Sequence, residues 1–121
     1  MTQLAKQYDL EERTFLFAKR TRIFIKSLSR TISNIEYASQ LTRSSGSVGA
    51  NYIEANEALS KKDFIMRIKI CGKEAKESRY WLRLVDIQND KSLAKEGEAL
   101  IKESTELMNI FGAILIKSTS N

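Results

Sequence analysis

Residues 64–85, FIMRIKICGKEAKESRYWLRLV, decide the fold, because their apolar and small side chains recur at alternating intervals of three and four residues. This spacing places those side chains on one face of an α-helix, since 3.6 residues complete one turn. The stripe consists of Phe64, Ile68, Cys71, Ala75, Ser78, Leu82 and Val85. The sequence therefore predicts a long amphipathic helix whose small residues let a neighbouring helix approach closely.

The same spacing continues on both sides of this segment. One stripe runs from Ala38 to Leu59 and another from Leu93 to Ile114, while residues 11–30 carry more apolar side chains than one face needs. Between these segments, Asn34 and the pair Ser60 and Asp63 have side chains that can accept hydrogen bonds from the free amides of a first helical turn. Residues 89–92 form a third break. We predict helices at about residues 8–31, 34–58, 61–89 and 92–118.

Short loops between long helices make sequential neighbours antiparallel. The predicted architecture is therefore all-α, an antiparallel up-down-up-down four-helix bundle in which residues 1–121 form a single domain. The composition agrees with this prediction, because the 121 residues include no proline and only five glycines, the residues that most often form turns.

The composition also excludes several classes of function. The chain has no histidine, so Ser-His-Asp and Cys-His catalytic sites and His-ligated metals are excluded. Its single cysteine, Cys71, cannot form an internal disulfide, and the heptad spacing predicts that it is a buried apolar thiol. We therefore predict a protein that is not an enzyme and that uses no cofactor.

Neither targeting nor membrane segments are evident. The first residues, MTQLAKQYDLEER, lack the apolar core of a signal peptide. The longest apolar run, residues 110–116, is far shorter than the roughly 18 residues that a membrane-spanning helix needs. We expect a cytoplasmic protein without a membrane partner.

Positive charge is the main indication of function. The chain has 20 Lys and Arg against 15 Asp and Glu, and residues 13–35 contain six cations and no acidic residue. A solvated helix face is one interpretation, and a strip that binds the phosphates of RNA or DNA is the other. Without a recognition-helix or zinc-finger signature, such binding would be directed to the backbone. The candidate residues are Arg13, Lys19, Arg20, Arg22, Lys26 and Arg30 in the first helix and Lys69, Lys73 and Lys76 in the third.

A competing interpretation is a structural or adaptor module that binds another protein and whose charge only keeps it soluble. A contiguous positive face would favour nucleic acid, whereas cations interleaved with Glu would favour the adaptor. Aromatic residues do not separate the two interpretations, because the spacing of Phe15, Phe17 and Phe24 suits core packing. We also expect Tyr80 and Trp81 to pack against the bundle.

Two pairs of glutamates at i, i+3 spacing, Glu54 with Glu57 and Glu74 with Glu77, superficially suggest a carboxylate-bridged metal site. If the turn between the second and third helices centres near Ser60, residues at the same height have numbers that sum to about 120. The pairs are then about 12 Å apart along the bundle, too far for one metal cluster. The same register places Glu77 beside Arg43 and Glu54 beside Arg67, and we predict charge neutralisation there, within one chain or between chains.

The second helix contains Gly46 and Gly49, each of which costs about 1 kcal/mol relative to Ala in a helix interior. A phosphate-binding glycine loop is not indicated, because no Gly-Lys-Ser/Thr sequence follows. We instead predict a close helix contact, with a second subunit, on the side of this helix opposite its stripe. Four residues fall on that side: Arg43, Ser47, Asn51 and Glu54.

These residues carry a resemblance to a known family. Gln40-Leu41 followed by Arg43, Ser47, Asn51 and Glu54, with Phe64 and Glu77 in the third helix, resembles the pattern of the 23S rRNA intervening-sequence proteins, also labelled an S23 ribosomal protein family. The likeness covers nearly the whole chain, although Tyr52, Ile53 and Ala55 depart from the family's Ile, Ala and Gly. The resemblance implies a four-helix bundle without an established biochemical role.

Further expectations come from that resemblance alone. Relatives in this superfamily form homopentamers, and the similar accessory protein of diversity-generating retroelements is a basic pentamer that interacts with nucleic acid and with a reverse transcriptase. The resemblance therefore implies a homo-oligomer, a pentamer, with RNA or DNA and a reverse transcriptase or other protein as candidate partners.

Overall fold

The computed structural model describes the backbone of residues 3–120 and the side chains of residues 10–120. Alternating apolar spacing produces four helices, as predicted: α1 (Gln3–Lys26), α2 (Ile32–Asn56), α3 (Lys61–Leu84) and α4 (Lys91–Thr119). The helices α1 and α3 each pack against both α2 and α4, but within the described residues α1 and α3 do not contact each other. The fold is an all-α four-helix bundle in which α1 and α3 occupy diagonal corners. In the described range, no helix is long and apolar enough to cross a membrane.

The apolar stripes face the bundle axis. Phe17, Leu41, Ile68, Leu100 and Phe111, which come from all four helices, are at most 1% exposed. Burying each of these side chains stabilises the fold by roughly 1.5–3 kcal/mol. The predicted stripe of α2 ends one turn early, since the helix stops at Asn56. The last predicted stripe residue, Leu59, is fully exposed in the loop.

Small residues bring neighbouring helices close together. Ser44 of α2 and Ser78 of α3 are both fully buried, and their hydroxyl oxygens lie 2.9 Å apart in a hydrogen bond between the two helices. At the contact of α2 with α1, a Cβ atom added to Gly49 would lie 3.0 Å from the Oγ1 of Thr14. The helix contact that compensates for Gly49 is therefore a contact within the chain.

Capping side chains begin three of the helices. The side chain of Ser60 accepts a hydrogen bond of 3.1 Å from the amide of Asp63, which confirms the predicted cap of α3. Asp90 caps α4 in the same manner. The prediction that Asn34 caps the second helix is wrong, because Thr31 is the cap and accepts a hydrogen bond of 3.1 Å from the backbone amide of Asn34.

The side chain of Asn34 instead joins the two loops at one end of the bundle. It is 2% exposed, and its Nδ2 donates hydrogen bonds to the carbonyl oxygens of Ser29 at 3.0 Å and Asp86 at 2.9 Å. Its Oδ1 accepts a hydrogen bond of 2.8 Å from the amide of Asp86. One buried amide side chain therefore connects the α1–α2 loop to the α3–α4 loop.

This contact explains why α3 ends at Leu84 and not near residue 89 as predicted. In a continued helix, the amide of Asp86 would donate to the carbonyl four residues earlier, but Asn34 takes that hydrogen bond. The loop then reverses through Gln88 and Asn89, whose φ angles of 51° and 62° lie in the left-handed region. Asparagine tolerates that region better than most residues do.

Candidate nucleic-acid interface

Arg13 of α1 lies on the edge of that helix that faces α4. Its Nε and Nη2 donate hydrogen bonds to the two carboxylate oxygens of Glu103 at 2.7 and 2.9 Å, and Nη2 also donates to Glu106 at 2.7 Å. These hydrogen bonds, mainly the one to Glu103, raise the pKa of Arg13 above its ordinary value, despite the opposing effect of burial. The guanidinium is therefore neutralised by two carboxylates of the same chain.

Arg20 repeats this arrangement two turns further along α1. Its Nε and Nη2 donate to the carboxylate of Glu96 at 3.2 and 2.9 Å, and the hydrogen bonding to Glu96 raises its pKa. The structure thus places Arg13 and Arg20, two of the six candidate cations of the first helix, in ion pairs with α4. The sequence could have revealed these ion pairs. Seven residues separate the two arginines and seven separate Glu96 from Glu103, as an antiparallel heptad register requires.

The remaining candidate cations near α1 point away from α4. Lys19, Arg22 and Lys26 are exposed at intervals of three and four residues, so they form one row on the outer face. Arg30 lies beyond the end of α1, in the α1–α2 loop, and is also exposed. None of the four forms an ion pair or a side-chain hydrogen bond with the described part of the chain.

A longer exposed row runs along α3, opposite its buried stripe. We call it the α3 outer stripe, and its members recur at alternating intervals of four and three residues. The α3 outer stripe consists of Lys62, Met66, Lys69, Lys73, Lys76, Tyr80 and Arg83, all of them exposed.

This stripe contains no acidic residue, and none of its cations is in an ion pair within the described part of the chain. The nearby carboxylates Glu74 and Glu77 lie on the edge of α3 that faces α2, where they bind Arg43. The candidates Lys69, Lys73 and Lys76 therefore form part of a continuous positive row. Lys62, Tyr80 and Arg83 were missed as members of it, although the three-and-four spacing of these exposed residues could have revealed them.

The row on α1 and the α3 outer stripe do not form one surface in a single chain. Because α1 and α3 occupy diagonal corners, α2 or α4 lies between them on either side of the bundle. The structure brings Lys19, Arg22 and Lys26 together, and it separately brings Lys69, Lys73 and Lys76 together.

The family-motif residues of α2 contact α3. The guanidinium of Arg43 donates to the carboxylate of Glu74 at 3.3 Å and to that of Glu77, which confirms the predicted pairing with Glu77 within one chain. These carboxylates raise the pKa of Arg43, and Glu77 has the largest effect. The arrangement holds α2 and α3 in register across the exposed edge of their contact.

The other predicted ion pair, between Glu54 and Arg67, does not form within one chain. Arg67 donates a hydrogen bond of 3.0 Å to the Oδ1 of Asn51, one turn from Glu54, and Asn51 in turn donates to the hydroxyl and carbonyl oxygens of Ser47 at 2.9 Å. Glu54 is exposed, and its side chain has no ion pair or hydrogen bond within the described part of the chain. Three of the four motif residues of α2 thus stabilise its packing against α3.

An aromatic cluster lies beside this network. The rings of Tyr37 and Trp81 are stacked with centroids 5.8 Å apart, and Tyr80 meets Trp81 edge to face at 5.1 Å. The indole Nε1 of Trp81 donates to Glu77 at 3.2 Å. Trp81 packs as predicted, but Tyr80 is 54% exposed, so the prediction that it is mainly a packing residue is wrong.

A largely apolar groove lies between α1 and α2, although Glu11 and Glu12 also line it. It adjoins a second groove that is lined by Lys19 and Arg22. The largely apolar groove has a volume of about 510 Å³, and it is lined by Phe15, Ala18, Gly46, Ala50 and Ile53, among others.

Phe15 is 58% exposed, so the prediction that it packs in the core is wrong, whereas Phe17 and Phe24 are buried as predicted. A Cβ atom added to Gly46 would meet nothing within 4 Å. A further helix could therefore approach the backbone of α2 closely at this point.

Within the described residues, no three carboxylate or thiol groups converge as a metal site would require. Cys71 is fully buried, and desolvation raises the pKa of its thiol to about 12. A protonated and inaccessible thiol is not a nucleophile. These features define a class: small basic four-helix bundles whose outer faces carry cations and an apolar groove.

The chain belongs to the 23S rRNA-intervening sequence protein family, whose model matches residues 6–113. The resemblance inferred from the motif residues is thus confirmed. A crystal structure of a protein from the S23 ribosomal protein family of Bacteroides thetaiotaomicron has the same fold, with a TM-score of 0.75 and 32% sequence identity. The match covers 87% of this chain and 96% of that one, and that protein is itself described as having unknown function. A comparison with curated proteins gives no match.

Proposed function

We propose that this protein is a non-enzymatic homo-oligomer, a pentamer, that binds the backbone of RNA or DNA through exposed cations of α1 and α3. The observation that carries the proposal is the α3 outer stripe, whose five cations have no acidic residue among them on that face and no ion pair within the described part of the chain. Unpaired cations in a row gain most by neutralising phosphates, since each contact releases condensed counterions.

The cations that already have partners are left out of the proposed site. Arg13 would have to give up two carboxylates, and Arg20 one, before it could bind a phosphate. The proposal therefore rests on Lys19, Arg22 and Lys26 of α1, on Arg30 in the α1–α2 loop, and on Lys69, Lys73 and Lys76 of α3.

Binding to fluorescently labelled structured RNA and duplex DNA, measured by anisotropy at low salt, tests this proposal. Two charge-reversal variants divide the site: Lys19, Arg22 and Lys26 to Glu on α1, and Lys69, Lys73 and Lys76 to Glu on α3. The matched control reverses Lys91, Lys95 and Lys117, which are exposed on α4 and equally unpaired among the described residues.

We expect log Kd to rise linearly with log salt, with a slope that reports the number of phosphate contacts. At least one of the two site variants should lose affinity and reduce that slope more than the α4 control does. Wild-type protein that binds no nucleic acid near 50 mM salt, a concentration at which phosphate contacts are strong, would overturn the proposal.

The α1–α2 groove supports self-association. It exposes apolar side chains, and the helical glycine Gly46 has no contact that compensates for its cost within the described part of the chain. In the proposed oligomer, a second copy packs against Gly46 and Ala50. Light scattering should report a pentamer, and Gly46→Gln should dissociate it, whereas Gly112→Gln at an equally open glycine of α4 should not. A wild-type monomer would refute this part of the proposal.

The exposed Phe15 and Ile53 also favour a second candidate function, an adaptor that binds another protein, such as a reverse transcriptase, through the same groove. An adaptor without nucleic-acid activity would lose its partner when Phe15 is changed to Ser. It would also keep full activity in both charge-reversal variants, which the nucleic-acid proposal does not allow.

A further inference from the structure

We propose that the α3 outer stripe is a binding site for single-stranded RNA or DNA, in which a base stacks on Tyr80 while the neighbouring cations hold the phosphates. This inference rests on the proposed nucleic-acid function and narrows it to one helix and one class of substrate. It departs from a purely electrostatic strip, because it gives an aromatic side chain a role in affinity.

Tyr80 is held in place and yet open to a ligand. Its ring meets Trp81 edge to face, at an interplanar angle of 72°, so that Trp81 covers at most one face of the phenol. Trp81 is itself fixed, by its stack on Tyr37 and by its hydrogen bond to Glu77. A supported aromatic ring that is more than half exposed loses little conformational entropy when a base stacks on it.

Cations flank Tyr80 on both sides along the helix. Lys76 lies four residues before it and Arg83 three residues after it, and side chains at these intervals are neighbours on a helix surface. Lys73 continues the row one turn further on. The stripe from Lys62 to Arg83 is about 31 Å long at 1.5 Å per residue, which gives room for several nucleotides.

The narrow shape of the stripe favours a single strand over a duplex. The bases of a duplex are stacked on each other, so their faces are hidden. A duplex therefore offers Tyr80 no base on which to stack. A single strand offers both a flexible line of phosphates and free base faces, and proteins that bind it combine cationic tracks with aromatic platforms. Every base has a π-face, so we expect little sequence preference.

The row on α1 also places an aromatic residue beside cations, because Phe15 lines a groove with Lys19 and Arg22, but that groove includes Gly46, against which the proposed second copy packs. Phe15 also lines the apolar groove beside Ile53, where a packed helix would cover it. Among residues 10–120, Tyr80 is therefore the exposed aromatic residue that stays open next to unpaired cations when the α1–α2 face is occupied.

Competition binding tests the inference with wild-type protein and two variants, Tyr80→Leu, which keeps apolar bulk without an aromatic face, and Tyr80→Phe, which keeps the face without the hydroxyl. The probes are a single-stranded RNA, a single-stranded DNA and a duplex DNA of the same length, together with an abasic single strand that has phosphates but no bases. Circular dichroism checks that each variant is folded.

We expect the wild type to bind both single strands more tightly than the duplex. Tyr80→Leu should weaken binding of single strands about tenfold, Tyr80→Phe should leave it unchanged, and neither should alter binding of the duplex. The abasic strand should bind the wild type and Tyr80→Leu equally, because no base is left to stack. Weaker binding of either the single-stranded RNA or the single-stranded DNA to Tyr80→Leu supports the inference. The ratio of the wild-type affinities for the RNA and for the DNA identifies the preferred polymer.

Single-strand binding that is unchanged in Tyr80→Leu, or duplex binding as tight as single-strand binding in the wild type, would overturn the inference while the proposed function stands. Wild-type protein that binds none of the probes would refute both. Binding of the duplex therefore distinguishes failure of the single-strand inference from failure of the proposed nucleic-acid function.

Discussion

Replacement of Asn34 by alanine should cost the bundle about 2–3 kcal/mol of unfolding free energy. The side chain is 2% exposed and makes three hydrogen bonds of 2.8 to 3.0 Å to the backbone of Ser29 and Asp86. Each bond contributes about 1 kcal/mol net, and more where the abandoned backbone group stays buried without water. The cap of α2 is unaffected, because Thr31 accepts its hydrogen bond from the backbone amide of residue 34.

Asn34→Asp should be more destabilising than Asn34→Ala near neutral pH. A carboxylate can still accept the hydrogen bond from the amide of Asp86, but it faces the carbonyl oxygens of Ser29 and Asp86, to which Asn34 donates. This repulsion and burial raise the pKa of the introduced acid above its unfolded value of about 3.9. The folded state then binds more protons than the unfolded state, so the destabilisation should be small near pH 4 and should grow as the pH rises toward 7.

Urea denaturation at one fixed protein concentration measures both effects, with Ser33→Ala as the control, since Ser33 is exposed and its side chain has no hydrogen bond within the described part of the chain. Hydrogen exchange gives a local readout, because the amide of Asp86 should exchange faster in Asn34→Ala. A loss of less than about 0.5 kcal/mol, within the range of ordinary surface substitutions, with an unchanged Asp86 amide would refute the role assigned to Asn34.

Two further predictions concern the ion pair between Arg13 and Glu103 and the thiol of Cys71. A double-mutant cycle of Arg13→Ala and Glu103→Ala should give a coupling energy of about 1 kcal/mol that decreases with added salt, as expected for a partly exposed bidentate pair; no coupling at low salt would contradict the assigned ion pair. Because burial raises the pKa of Cys71 to about 12, a thiol reagent at pH 8 should label the folded protein only as fast as it opens and should label the unfolded chain at once. Rapid labelling of the folded protein would show that the thiol is accessible.

The sequence was enough to predict the fold, because the stripe between Phe64 and Val85 admits only one helical face and equivalent stripes recur in the neighbouring segments. The register between α2 and α3 was also predictable, since Arg43 and Glu77 lie at equal distances from the turn. Both features follow from helical periodicity, which is a local property of the chain.

The missed features depend on contacts between distant parts of the chain. Asparagine is a common helix-capping residue, so the sequence predicted a cap at Asn34. Its side chain instead hydrogen-bonds the backbone of Asp86, which lies 52 residues away in the α3–α4 loop. Likewise, the charge count could not separate Arg13 and Arg20, which α4 neutralises, from Lys19 and Arg22, which it does not reach.

The diagonal placement of α1 and α3 has a consequence for how substitutions combine. The two helices do not touch within the described residues, and Tyr80 on α3 shares no partner with Gly46 of the α1–α2 groove. Substitutions at separate sites without shared partners usually have additive free energies, to within about 0.5 kcal/mol. Substitutions at Tyr80 and at Gly46 should therefore have additive effects on the unfolding free energy of one chain.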